Sequence, residues 1–207
     1  MLRAKMAVLV SGGGTNLQAL IDAQESGIIT SAEITLVVSS SDNAFALERA
    51  KKHGIESIVV SKKNCSSPED FEVKIQAVLD VHGIDFLVLA GFMSILSENF
   101  VTRWPKRIIN VHPSLIPAFC GEGFYGLRVH EAALEAGVKI TGATVHFVNE
   151  IPDGGEIILQ KAVTIRKADT AQTLQKRVME QAEWQLLPRA AQLVAKRILD
   201  EVKQNGK

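Results

Sequence analysis

The sequence predicts a single α/β domain in which helices cover both faces of a mostly parallel sheet, a three-layer sandwich. Short apolar runs with little polar alternation recur at residues 6–10, 34–38, 55–60, 86–90 and 107–111. Amphipathic stretches separate these runs at residues 16–26, 43–53, 68–82 and 129–136. Continuous apolar runs indicate strands buried on both faces, and their alternation with helices is typical of a parallel sheet.

The last third of the chain departs from this alternation. Two strand-like runs at 141–148 and 156–165 flank a turn at 152–155, and one long helix is predicted over 170–203. Pro188 should kink or interrupt that helix, because proline lacks the backbone N–H that a helix interior needs. A chain of 207 residues with 46% apolar content is suited to one well-buried core, so we expect one domain over residues 1–207.

Composition argues against several classes of partner. The chain has 23 basic and 23 acidic residues, so no long-range field would attract nucleic acid or an anionic membrane. Its two cysteines, Cys65 and Cys120, lie far apart, which argues against a disulfide framework and against a zinc site. No apolar stretch is long enough for a signal peptide or a membrane span, and we expect a cytoplasmic protein.

A glycine-rich loop follows the first predicted strand and opens a helix. It contains Gly12, Gly13, Gly14, Thr15 and Asn16, and its backbone N–H groups could hold a phosphate at the helix N-terminus. The alternative is a turn in which Thr15 or Asn16 only caps the helix. The loop lacks the third glycine of the dinucleotide-binding pattern, which disfavours a dinucleotide-binding module.

Three further polar residues are candidates for chemistry. Alternation along the fifth strand places Asn110 and His112 on one side, and Pro113 ends the strand. Asp153 lies in the turn between the two late strands, where it could equally form an ordinary Asx-turn. For His146, within the first of those strands, we favour a structural role.

Taken together, the motifs at residues 11–16, 89–93, 110–117, 142–147 and 153–155 resemble those of the phosphoribosylglycinamide formyltransferases of purine biosynthesis. The resemblance covers essentially the whole chain. It implies a Rossmann-like fold and transfer of a formyl group from 10-formyltetrahydrofolate to the amine of glycinamide ribonucleotide, without a metal. The alternatives left open are a formyltetrahydrofolate hydrolase and a formyltransferase acting on another phosphorylated amine. From the chain length we also expect no additional C-terminal domain like that of methionyl-tRNA formyltransferases.

The resemblance also assigns residues. It implies that Asn110, His112 and Asp153 are catalytic, and that Gly14, Thr15, Asn16 and Glu183 bind the ribonucleotide. It implies no nucleic-acid or membrane partner and a monomer or homodimer. The residues it implies for reduced folate are Leu89, Phe92, Met93, Ser94, Ile95, Leu96, Phe100, Ile108, Val148, Asn149 and Ile151.

Some positions depart from the family pattern. Ser94 and Pro68 stand where many members have basic residues, so contacts to an anionic group of substrate or folate are absent there. The loop after Pro117 is longer than in many members and contains Cys120. A cysteine nucleophile would need a paired base, and no residue at useful spacing identifies one.

Overall fold

The structure, a computed structural model, describes residues 2–205 and contains one seven-stranded sheet in the order β3-β2-β1-β4-β5-β6-β7. Strands β1 to β5 are mutually parallel, and β6 runs antiparallel to both β5 and β7. The strands are β1 (Ala4–Val10), β2 (Ala32–Ser39), β3 (Ser57–Val59), β4 (Phe86–Leu89), β5 (Ile108–His112), β6 (Ile140–Phe147) and β7 (Ile157–Thr164).

Helices cover both faces of this sheet. They are α1 (Thr15–Glu25), α2 (Phe45–Lys52), α3 (Pro68–His82), α4 (Glu98–Val101), α5 (Leu127–Glu135), α6 (Ala171–Val178) and α7 (Trp184–Asn205). Core side chains of α1, α2, α6 and α7 pack on one face, and those of α3 and α4 pack on the other. The predicted α/β sandwich with a mostly parallel sheet is therefore confirmed.

Local sequence explains where the elements begin and end. Helix α3 begins after Ser67, whose hydroxyl accepts the N–H of Asp70, and Pro68 occupies its first turn. It ends at Gly83, whose φ of 61° is a left-handed conformation that glycine adopts without strain. Within residues 2–205, none of the helices combines the length and apolar character needed to cross a bilayer.

The C-terminal helix differs from its prediction. Instead of one helix over 170–203, α6 and α7 are joined by a π-helical turn, Met179–Glu183. Pro188 lies inside α7 without ending it. The departure from α-helical geometry therefore lies before the proline, where the N–H of Trp184 reaches back five residues to the carbonyl of Met179.

Candidate active site

A cleft of about 790 Å³ opens where the parallel strands end. Residues after β1, β4 and β5 form its floor, and the segment between β6 and β7 forms one side. Residues 121–126 of the loop before α5, together with Gln175, Met179 and Glu183, close the opposite end. This is the position in which open α/β sheets bind ligands.

The three residues implied as catalytic meet in this cleft. Asp153 Oδ2 lies 3.3 Å from His112 Nδ1, although His112 is the last residue of β5 and Asp153 lies in the segment between β6 and β7. Asn110 precedes His112 by two residues on β5, and its side-chain amide lies 3.3 Å from His146 Nε2. The alternate residues of the strand, Ile109 and Val111, pack in the core on the other face of the sheet. The strand alternation thus points both polar side chains at one site.

His112 has a defined tautomer. Its Nε2 lies 2.8 Å from the backbone carbonyl of Phe119, which can only accept, so Nε2 carries a hydrogen. The nitrogen left to exchange a proton is Nδ1, which faces Asp153. Burial lowers the pKa of His112, although the Asp153 charge and the bond to Phe119 act in the opposite direction. The free site therefore favours a neutral imidazole.

Asp153 is held as a carboxylate. Burial alone would raise its pKa, but the contact with His146 and the hydrogen bond from the N–H of Gly121 outweigh burial. The nearby imidazoles lower the pKa further, so that it lies below its ordinary value. The N–H of Gly121 donates to Asp153 Oδ2 at 2.9 Å. Asp153 itself has a φ of 55°, a conformation that aspartate tolerates in tight turns.

His146 belongs to the site, which corrects our preference for a purely structural role. It stands directly opposite Asn110 in the antiparallel β5–β6 pair. Its Nδ1 lies 2.8 Å from the carbonyl of Phe147 and must carry a hydrogen, which leaves Nε2 free to accept from the Asn110 amide. The same Nε2 lies 3.5 Å from Asp153 Oδ1. His146 therefore orients the Asn110 amide and lies in contact with Asp153.

The glycine loop is arranged to bind an anion. Gly14 is the N-cap of α1 with a φ of 69° and no side-chain cap, so the alternative in which Thr15 or Asn16 caps the helix is wrong. The carbonyls of Gly12 and Gly13 accept from the Ala46 N–H and from Arg49 Nε. Within residues 2–205, the N–H groups of residues 12–17 donate to no protein acceptor. They remain available for a phosphate.

A buried polar pair lies beside this loop. Asn16 Nδ2 donates to Glu183 Oε2 at 2.9 Å, across 167 residues of sequence. Burial raises the pKa of Glu183 to about 7, and the hydrogen bond from Asn16 offsets part of that rise. Asn16 Oδ1 is buried without a partner among the described residues. Such a pair in a cleft is a candidate for binding hydroxyl groups of a ligand.

The predicted folate residues form the apolar wall of the cleft, with two exceptions. Phe100 and Ile108 are 3% and 0% exposed in the core beneath that wall and do not line the cleft, which corrects their assignment. Among the lining residues, Met93, Ile95 and Ile151 are 60%, 73% and 58% exposed. Large apolar side chains exposed around one cleft indicate a surface that a ligand covers. The remaining lining residues from the prediction are Leu89, Phe92, Ser94, Leu96, Val148 and Asn149.

His130, on α5, is a cleft residue that sequence reasoning missed. Its side chain is fully buried, and neither ring nitrogen has a hydrogen-bond partner within the described part of the chain. Burial, with a smaller contribution from the charge of His112, lowers its pKa to about 4. Only its position at i+3 from Leu127 on a short amphipathic helix hinted at burial, and nothing in the sequence connected it to His112.

Cys120 lies in the loop that supports the site. Its thiol lies 3.3 Å from the carbonyl of Pro117, and burial together with the Asp153 charge raises its pKa. A raised pKa keeps the thiol protonated and weakly nucleophilic. Among the described residues, no group of three or more histidine, cysteine, aspartate or glutamate side chains could hold a metal ion.

Comparisons with known proteins agree with this geometry. The sequence profile of the formyl transferase family matches residues 4–191. The phosphoribosylglycinamide formyltransferase of Haemophilus influenzae is 43% identical over 184 residues, 89% of this chain and 84% of its own length. The crystal structure of glycinamide ribonucleotide transformylase 1 from Symbiobacterium toebii has a TM-score of 0.87 and 38% identity, covering 94% of this chain and 88% of its own.

A second group of relatives is much longer. The human trifunctional purine biosynthetic protein adenosine-3 is 44% identical over 205 residues, 99% of this chain. The chain spans 20% of the length of that relative.

Proposed function

Because the chain belongs to the formyl transferase family, we propose that it transfers a formyl group from 10-formyltetrahydrofolate to the amine of glycinamide ribonucleotide, a step of purine biosynthesis. The observation that carries this proposal is the meeting of Asn110, His112 and Asp153 in one cleft that has an apolar wall on one side and an anion-binding loop on the other. The relatives named as phosphoribosylglycinamide formyltransferases support the choice of acceptor.

The two ends of the cleft suit the two substrates. The apolar wall from Leu89 to Leu96, with Val148 and Ile151, would hold the flat ring system of the reduced folate. The free N–H groups at the start of α1 would hold the phosphate, and Glu183 with Asn16 would bind ribose hydroxyls. Bringing both reactants together supplies much of the rate, since it replaces an encounter between separate molecules.

His112 and Asp153 would move the proton. The attacking amine becomes positively charged as it bonds to the formyl carbon, and its proton passes to Nδ1 of the neutral His112. Asp153 stabilises the imidazolium that forms, and its low pKa keeps it ionised while it does so. The imidazolium then returns the proton to the folate nitrogen that leaves. Proton count and charge are balanced at the end of the cycle.

Asn110 would stabilise the oxyanion. One N–H of its amide is directed to His146 Nε2, so the second N–H is available to the negative oxygen of the tetrahedral intermediate. The positive charge of the His112 imidazolium adds electrostatic stabilisation of the same oxygen. Loss of one such donor typically raises the barrier by about 2.7–4 kcal/mol.

The experiment that tests the proposal is a formyl-transfer assay with both substrates. We expect formylated ribonucleotide as the product, and a reduction in kcat of roughly 100-fold or more for His112→Ala and for Asp153→Asn. His82→Ala is the matched control, because His82 pairs with Glu56 outside the cleft and its replacement should leave kcat unchanged. Normal turnover in both site variants would contradict the assigned roles.

The same assay separates the alternatives. Formate release without an acceptor would indicate a hydrolase. Transfer only to a different phosphorylated amine would indicate a formyltransferase with another acceptor. The buried Asn16–Glu183 pair favours transfer, because hydrolysis needs no binding site for an acceptor. We further propose a cytoplasmic monomer or homodimer without a nucleic-acid or membrane partner, which light scattering of the purified protein would test in part.

A further inference from the structure

Ser11 connects the loops at the ends of three adjacent strands. It is the residue after β1, and its hydroxyl lies 2.7 Å from the hydroxyl of Ser40, which follows β2. The same oxygen accepts the backbone N–H of Met93 at 2.9 Å, beyond the end of β4. Because β1 lies between β2 and β4 in the sheet, one hydroxyl group contacts the loops on both sides.

The two loops joined by the Ser11–Met93 bond have different tasks in the proposed function. Residues 12–16 form the anion-binding loop, whereas Met93 belongs to the apolar wall for folate. The other hydrogen-bonded anchors of the glycine loop are Ala46 and Arg49 of α2 and Glu183, which accepts from Asn16. Within residues 2–205, the Ser11–Met93 bond is the hydrogen bond that directly joins residues 11–16 to residues 91–96.

We propose that Ser11 is a positioning residue that couples the two substrate sites, so that each bound substrate strengthens the binding of the other. This inference rests on the proposed function. A ligand on either loop restricts that loop, and the Ser11–Met93 bond then restricts the other loop before its own ligand arrives. The second ligand therefore has less conformational freedom to remove.

The size of the effect follows from the contact. The coupling factor is the ratio by which one bound substrate strengthens the binding of the other. For a single hydrogen bond between partly exposed groups we expect a factor of about two to ten. Thermodynamic linkage requires the factor to be the same in both directions: ribonucleotide must tighten folate binding as much as folate tightens ribonucleotide binding. This equality distinguishes coupling from a simple contribution of Ser11 to one site.

The test is isothermal titration with a non-reacting pair, tetrahydrofolate and glycinamide ribonucleotide. Each is titrated into the free protein and into protein saturated with the other, and the ratio of the two Kd values is the coupling factor. We expect about two to ten for the unchanged protein and for Ser11→Thr, which keeps the hydroxyl, and about one for Ser11→Ala. Because the factor is a ratio within each variant, a general loss of affinity cancels.

Ser31→Ala is the matched control, since Ser31 also has a hydrogen-bonded hydroxyl, to Gln192, outside the cleft. It should retain the factor of the unchanged protein. Independent binding by the unchanged protein, or equal factors in Ser11→Ala and Ser11→Thr, would overturn the inference. Failure of the unchanged protein to bind either ligand would instead contradict the proposed function.

Discussion

At the scale of single residues, Gly14 combines two constraints that no other residue type meets. Its φ is 69°, and a Cβ placed on it would lie 2.7 Å from Ala46 Cβ. The close approach of α2 is what brings Ala46 and Arg49 onto the loop carbonyls. The absence of a side chain at Gly14 therefore lets α2 hold the loop in the shape that leaves its N–H groups free.

We predict that Gly14→Ala weakens ribonucleotide binding at least tenfold and lowers the free energy of unfolding by about 1–3 kcal/mol. The binding loss follows because the loop must move away from α2 to make room for the Cβ. Gly27→Ala is the matched control, since Gly27 has a φ of 77° but open space around its Cα. Titration calorimetry measures ribonucleotide binding and urea denaturation measures stability in both variants. The comparison separates the effect of the steric contact with Ala46 from the strain of placing alanine at a positive φ. Equal binding losses would contradict this explanation.

Sequence reasoning at this scale succeeded where a local rule applied. Strand alternation placed Asn110 and His112 on one side, and the turn chemistry of Asp153 was recognisable. The approach of Asp153 to His112 was implied only by family resemblance, because spacing along the chain does not specify a contact between a strand end and a distant turn. His130 was missed and His146 was given a structural role, because the positions of both depend on which strand and helix pack beside them.

At the scale of elements, the start of α6 is fixed by a partly buried ion pair. The guanidinium of Arg177 contacts both carboxylate oxygens of Asp169, whose side chain is 4% exposed. Asp169 also accepts the N–H of Arg166 and the hydroxyl of Thr173. The hydrogen bond from Arg177 holds the pKa of Asp169 well below its ordinary value, with burial acting against it. The pair positions the helix that carries Gln175 to the cleft.

We predict that Asp169→Asn lowers the free energy of unfolding by about 1.5–3 kcal/mol at pH 7, because Arg177 loses its charged hydrogen-bond partner. Since the folded pKa is depressed, this contribution is present above pH 3.8 and disappears as the pH falls through the folded value. Asp200→Asn is the control, because its pair with Lys203 is exposed and should contribute almost nothing. Urea denaturation measures both; equal effects would contradict the assignment.

The elements themselves were largely predictable from hydrophobic pattern. The runs at 6–10, 34–38, 86–90 and 107–111 became β1, β2, β4 and β5, because both faces of each strand are buried. The short helix α4 escaped prediction, since four residues show no period. The π-helical turn did too, because the amphipathic pattern of residues 170–203 does not reveal the extra residue in one turn.

At the scale of the whole molecule, two buried groups have opposite effects on how the free energy of unfolding depends on pH. The pKa of Glu183 is raised to about 7, so its stabilising contribution is complete below pH 4.5 and is lost as the pH rises through 7. The pKa of His130 is lowered to about 4, so its contribution is complete above pH 6.5 and is lost as the pH falls through 4. Each of these two contributions to the free energy of unfolding amounts to roughly 3 kcal/mol.

We therefore predict that Glu183→Gln becomes more stable relative to the unchanged protein as the pH rises from 4.5 to 7, by roughly 3 kcal/mol. His130→Leu should show the opposite trend, becoming relatively more stable as the pH falls from 6.5 to 4. Urea denaturation across this pH range gives the difference in free energy of unfolding between each variant and the unchanged protein. The contributions of titrating groups that both proteins share cancel in this difference. Parallel profiles for a variant and the unchanged protein would contradict the assignment for that residue.

The sheet order has a consequence for how the protein is made. Asn110 and His112 lie on β5, Asp153 follows β6, and Glu183 follows β7, so the site draws on segments that leave the ribosome at widely separated times. A nascent chain that has exposed only the parallel strands holds the glycine loop and two of the proposed catalytic side chains, yet lacks the Asp153 carboxylate. The proposed catalysis therefore requires synthesis through residue 183 of this sequence, since a shorter product would lack the carboxylate proposed to bind the acceptor.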